Sequence, residues 1–179
     1  FSDIALESHK LAVFLKLEEA FIKDATFNIE DYLVSRLAKN FGRAEDNGFI
    51  NGTGADMPTG ILAANGGAEV GVTASAITYE DVVKLFFSVK PEYRKSGVWL
   101  MNDETAMTLR TLKDEGGNYI WNHVNDTILG KKVCISELMP SAESGSKPIA
   151  FGDFSYYWIV GRRPVSVRTL VEQFAMVDC

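Results

Sequence analysis

The sequence predicts a mixed α+β fold, on three observations. Apolar residues return every fourth position at Ile29, Leu33, Leu37 and Phe41, which is the spacing of one helix face. Short apolar runs such as Val98, Trp99, Leu100 and Met101 have the length of buried strands. Between these two kinds of segment, residues 44–62 break into Gly, Asn, Asp and Pro, the composition of a hinge between a long helix and a second structural unit.

In chain order, Leu11, Val13, Leu15 and Leu17 alternate with other residues, which predicts a strand over 11–17; residues 18–25 read as a short helix. The spine of the prediction is a helix from Ile29 to about Asp46, roughly 27 Å long at about 1.5 Å per residue. Asn28 is its N-cap, Glu30 and Asp31 suit the positive end of its dipole, and Asn47 with Gly48 stop it. Gly42 weakens it but permits close packing of another element. Residues 51–60 form a loop, with loose backbone again at Gly66, Gly67 and Gly71. Thr78 and Asp81 resemble a capping box for a helix running to Ser88, which Pro91 ends. After the strand at 98–101, Asn102 caps a third helix with Asp103 and Glu104 in its first turn and Met107, Leu109 and Leu112 further along; Gly116 and Gly117 close it. Residues 132–136 and 149–151 read as strands around a polar loop at 141–147. Two more strands are expected at 156–160 and 165–168, around a turn at 161–164. Residues 169–177 fit helix and strand equally. The segments before Asn51 and after about Asp153 can pair as one unit, with the intervening residues inserted as a second.

The chain of 179 residues is long enough to bury a core without disulfides or metals. A net charge of −6, with no basic run beyond Lys131-Lys132 and Arg162-Arg163, argues against a dedicated nucleic-acid binder. Cys134 and Cys179 sit in no CxxC pair, and Cys134 is expected to be a small buried hydrophobe in a reducing compartment. The sequons at Asn51 and Asn125 are then chance matches. No apolar run approaches membrane-spanning length, and no signal peptide is visible. A start at Phe1 and an apolar ending at 174–179 are expected of a fragment or a processed product.

Candidate chemistry is sparse. His9 and His123 have no partner spacing for zinc or catalysis. Asn51, Gly52, Thr53 and Gly54 suggest a phosphate loop, but Gly60 is followed by Ile61 and Leu62 rather than Lys and Ser/Thr; a turn needing positive φ explains them better. The acidic pairs (Glu18-Glu19, Glu30-Asp31, Glu45-Asp46, Glu80-Asp81, Asp103-Glu104, Asp114-Glu115) mostly stand at helix starts, where the dipole accounts for them. Tyr156, Tyr157 and Trp158, beside Phe151 and Phe154, suit core packing or a subunit contact better than base stacking, and Asp153 suits a turn. No catalytic, cofactor-binding or metal-ligating residue is assigned, no cofactor is expected, and the chain reads as no enzyme.

Seven segments in register resemble the HK97-like major capsid proteins of tailed phages. Residues 15–24 are similar to that family's entry into its peripheral (P) domain, and 28–47 to its long spine helix. Phe49 to Gly54 with Pro58 to Leu62 resemble the passage from spine helix to axial (A) domain, the most specific piece. Residues 89–94 with 98–102, 109–116, 129–133 with Met139 and Pro140, and 149–154 continue the pattern. The resemblance implies a P domain over 1–56, an A domain over 57–150 and returning P-domain strands over 151–179. The N-terminal arm, most of the E-loop and the closing strands would lie outside the sequence. It further implies a structural protein of virion or prophage. Such a protein assembles in the bacterial cytoplasm into hexamers and pentamers of an icosahedral shell around DNA; it binds no membrane, and the family admits a scaffold and a maturation protease. Some relatives crosslink through Lys–Asn isopeptide bonds, and no such pair is assigned here. Two rivals are an encapsulin-type shell around protein cargo and a small ligand-binding or hydrolase domain using the 51–60 loop.

Overall fold

The computed structural model describes residues 8–13, 28–161 and 166. The long helix, α1, spans Ile29–Asn51. Its 23 residues extend about 34 Å. Asn28 caps it as expected, its side-chain oxygen accepting from the Asp31 N–H at 3.4 Å. The helix runs past Asn47 and Gly48 instead of stopping there, because tertiary contacts take over its last turn. Gly48 is buried beside the Pro58 ring, and Ile50 is buried against the sheet described below. Gly42 has no neighbour within 4 Å of where a Cβ would stand, so it accommodates no close packing among the described residues.

Helix α2 is Tyr79–Ser88 and carries the full capping box: the Thr78 hydroxyl accepts from the Asp81 N–H, and the Asp81 carboxylate accepts from the Thr78 N–H at 3.1 Å. The Thr78 hydrogen bonds hold the Asp81 carboxyl below its ordinary value. Pro91 does more than end this helix. It opens a short one, α3 (Pro91–Arg94), at a position where its missing N–H costs nothing. Strand β1 is Val98–Met101, followed by α4 (Asp103–Thr111). Asn102 is the buried cap of α4 and accepts from the Thr105 N–H at 2.8 Å. This helix closes at Leu112, before the two glycines. From there the Asp114 carboxylate takes the Asn118 N–H and organises a separate turn, which holds its own carboxyl below the usual range.

Strands β2 (Trp121–Asn122) and β3 (Thr127–Ile128) form a small hairpin that the sequence reading missed. Strand β4 is Lys131–Ile135 and β5 is Ile149–Gly152. The five strands make one sheet in the order β2-β3-β4-β1-β5, with β1 parallel to β4 and antiparallel to β5. No strand exists at 156–160: residues 154–156 are a single 3-10 turn, which the Asp153 carboxylate caps through Ser155, and residues 158–161 have no regular structure. Residues 11–13 carry no strand. The rest of that expected strand, the helix at 18–25 and the segments at 165–168 and 169–177 lie outside the described residues, save Ser166.

Alternation along β1 gives the sheet two covered faces. Trp99 and Met101 point to one, where Val82 of α2, Ala106 and Leu109 of α4, Trp121, Ile128 and Phe151 bury them. Leu100 points to the other, packing with Ile50 at the end of α1 and with Met139. Cys134 is paired with Leu100 and shares this second face, yet it is exposed rather than buried. The helix end and the Met139 loop cover the face over Leu100 and do not reach β4.

Candidate functional site

Side chains capable of chemistry do not converge in the described residues. No group of three or more His, Cys, Asp or Glu could hold a metal ion among them. His123 is exposed and meets only the edge of the Tyr119 ring. Glu104, Thr105, Thr108, Ser141, Ala142 and Glu143 line a concavity. There Ser141 donates to Glu104 at 2.7 Å, Asn102 donates to Ser141 at 3.0 Å, and the buried Thr105 hydroxyl has no partner. The concavity sets one hydroxyl beside one carboxylate, and no imidazole is among its lining residues to activate that hydroxyl as in a Ser–His pair.

The organised place is the junction at residues 48–67, where α1 hands the chain to the sheet. An α-helix ends with carbonyls that lack intrahelical partners. Here the chain itself returns to satisfy them. Ile61 N–H donates to Phe49 O at 2.8 Å, Leu62 N–H to Ile50 O at 2.9 Å, and Gly52 N–H to Gly48 O at 3.0 Å. Gly60 N–H then donates to Gly52 O at 2.9 Å, and Thr53 bridges to Thr59. Backbones this close leave no room for side chains. A Cβ on Gly60 would stand 2.5 Å from Gly52 N and 2.6 Å from Ile50 O, and one on Gly52 would overlap the Pro58 and Gly48 carbonyl oxygens. Gly67, expected to mark loose backbone, is packed as tightly against Ala63. Positive φ is the reason for Gly54 (+82°), as the sequence suggested, but close approach is the reason for Gly52 and Gly60. The phosphate-loop alternative loses its donors at these positions, since the N–H groups of Gly52, Gly60, Ile61 and Leu62 are committed to the chain's own carbonyls.

Three side chains tie this junction to the rest through four long-range hydrogen bonds. Asn51 donates to Leu138 O at 2.9 Å; Lys147 donates to Leu62 O at 2.9 Å and Ala63 O at 3.3 Å. Tyr157 donates its hydroxyl to Thr59 O at 2.8 Å and sets its ring edge-on to Phe49, with centroids 6.1 Å apart. Sequence reasoning singled out the 51–60 loop but missed Lys147 and Leu138, whose partners are more than eighty positions away. Burial raises the Tyr157 phenol above its ordinary value of 10.0. A raised folded value means that the unfolded chain loses this proton first. The associated stability is therefore intact below about pH 10 and falls as pH rises through the folded value. Replacing Tyr157 by Phe is expected to flatten the alkaline part of a stability-against-pH curve, read by urea denaturation; an unchanged slope would dissociate Tyr157 from it.

The chain matches the family described as "Phage capsid family" over residues 1–178. It belongs to that family. Among solved structures, this capsid-family chain is similar to the capsid of an empty GTA (gene transfer agent) particle, computed with C5 symmetry. The identity is 34% and the TM-score 0.66, over 82% of this chain. It is similar to the capsid of a native GTA particle at 34% identity and a TM-score of 0.65, over the same 82%. It spans 56% of the length of each of those chains. No curated protein matched it.

Tyr156 at the end of the 3-10 turn, with Trp158 (73% exposed), Ile159 and Val160 after it, forms an open apolar segment; of these four, Tyr156 alone is packed on an aromatic, Tyr93, at 4.9 Å. Core packing, one of the two roles expected of these aromatics, is therefore not theirs, apart from the half-buried Tyr157.

Proposed function

We propose that this chain is the shell-forming part of a tailed-phage or prophage major capsid protein, a structural protein and not an enzyme. The observation that carries the reading is the family match from residue 1 to 178, joined to 34% identity with capsids taken from assembled particles. Self-association is its work. Copies meet as hexamers and pentamers, and these close into an icosahedral shell that encloses DNA by geometry, in keeping with a net charge of −6. Standard protein interfaces bury roughly 1,600 Å² in total, so a subunit with several neighbours is held by the sum of modest contacts. Residues 1–56 and 151–179 form the P domain and 57–150 the A domain, with the glycine junction as the fixed elbow between spine helix and sheet. A scaffold and a maturation protease serve assembly in the bacterial cytoplasm, and the virion is the final location.

Negative-stain microscopy of the full-length protein tests this. Closed particles of uniform diameter are expected, with the subunit in rings of five and six. A persistent monomer at high concentration would overturn the proposal.

A further inference from the structure

We propose that Asn65 is a site of spontaneous deamidation, and that the fold confines this reaction to it. Asn followed by Gly is the pairing most open to the reaction, because no side chain shields the following amide nitrogen. The chain has three such pairs: Asn47-Gly48, Asn51-Gly52 and Asn65-Gly66. In the reaction the Gly nitrogen attacks the Asn Cγ. The new N–Cγ bond closes a five-membered succinimide, the Cγ–Nδ2 bond breaks, and the amide proton leaves with the nitrogen as ammonia. Water then opens the ring at either carbonyl, giving Asp or isoAsp. No oxidant, cofactor or enzyme is needed.

The fold protects two of the three pairs. Asn47 and Gly48 lie inside α1, and Gly48 is buried. Helical backbone holds each N–H along the axis and away from its neighbour's side chain. Asn51 is the last helical residue. Its amide nitrogen is held by Leu138 O at 2.9 Å and Asn47 Oδ1 at 3.1 Å, and the attacking nitrogen, Gly52 N, donates to Gly48 O at 3.0 Å. Both partners of the reaction are thus immobilised, and Gly52 is buried.

Asn65 has none of these restraints. Asn65 and Gly66 are both exposed in an irregular turn. The Gly66 N–H donates to no described residue, nor does the Asn65 side chain make a hydrogen bond. Gly66 takes a φ of +75°, which only the absence of a Cβ makes easy, so the residue that exposes the nitrogen is fixed by the turn itself. The product places a new carboxylate on an already acidic chain, one further negative charge per copy.

The test is to age the purified full-length protein in mildly alkaline buffer at physiological temperature and follow each Asn-Gly peptide by mass spectrometry. A parallel sample is held unfolded in denaturant. In the folded sample, Asn65 is expected to convert at least about tenfold faster than Asn47 or Asn51, because those two must first open locally. In the unfolded sample the three are expected to convert at rates within about threefold of one another, since that protection is gone. An Asn65→Gln variant should lose the early acidic band on isoelectric focusing. Conversion of Asn47 or Asn51 as fast as Asn65 in the folded protein would overturn the proposal. So would an inert Asn65 in the folded protein when its unfolded counterpart reacts.

Discussion

Gly60→Ala is expected to destabilise the unassembled full-length protein by more than about 3 kcal/mol, well beyond the usual range for a single methyl group. The added Cβ would meet Gly52 N at 2.5 Å and Ile50 O at 2.6 Å. Both are backbone atoms, and neither can rotate away as a side chain would. Relief requires the returning strand to lift from the helix end. That would break the Gly60-to-Gly52, Ile61-to-Phe49 and Leu62-to-Ile50 hydrogen bonds, each worth about 1 kcal/mol net, and would leave helix carbonyls bare. Gly42→Ala is the internal control. It changes the same residue type inside α1, where nothing stands within 4 Å of the new methyl. It should stabilise by up to about 1 kcal/mol through helix propensity. Urea denaturation of both variants reads the contrast. A Gly60→Ala protein within about 0.5 kcal/mol of the parent, the range of an indifferent surface change, would refute the steric account.

Trp99→Ala is expected to cost about 3–5 kcal/mol, the range for deleting a buried large aromatic. Trp99 is fully buried at the centre of β1. Its ring lies 4.3 Å from Phe151 on β5 and 6.3 Å from Phe86 on α2, so one side chain joins the sheet edge to a covering helix. Its indole N–H donates to Ile128 O at 3.0 Å, tying β1 to the hairpin two strands away. Removing it opens a cavity and orphans that carbonyl together. Trp99→Phe separates the two effects, since it retains most of the packing and loses only the hydrogen bond. The expected order is parent, Phe variant, Ala variant, read from thermal midpoints; equal losses in both variants would mean that the hydrogen bond, not the volume, dominates.

The sequence made most of the sheet's centre and its helices legible, because those elements carry local signals. Asn28, Thr78 and Asn102 are caps that act within three residues of themselves, and each was recognisable without tertiary information. The four-residue apolar run of β1 was legible for the same reason. Errors fell where distant residues decide. The last turn of α1 persists through Gly48 because Pro58, Ile61 and Leu62 come back to it. Cys134 is exposed although its neighbours are apolar, because cover on that face stops at Leu100. Residues 156–160 have strand composition but pair with no strand among the described residues. The hairpin of β2 and β3 has only two residues per strand, too few for any periodicity. Of the junction, the glycines were visible as a loop, but their true role is contact between backbones, which no spacing rule encodes.

The order of the sheet has a consequence for synthesis. Strand β1 emerges from the ribosome before its two neighbours, β4 and β5, which begin only at residues 131 and 149. Until then this apolar strand has two naked edges, and such edges invite pairing with other chains. Helices α2 and α4, which flank β1 in sequence, can shield one face of it while translation continues. Substitutions that weaken those helices should therefore reduce soluble yield more than they reduce the stability of the finished fold.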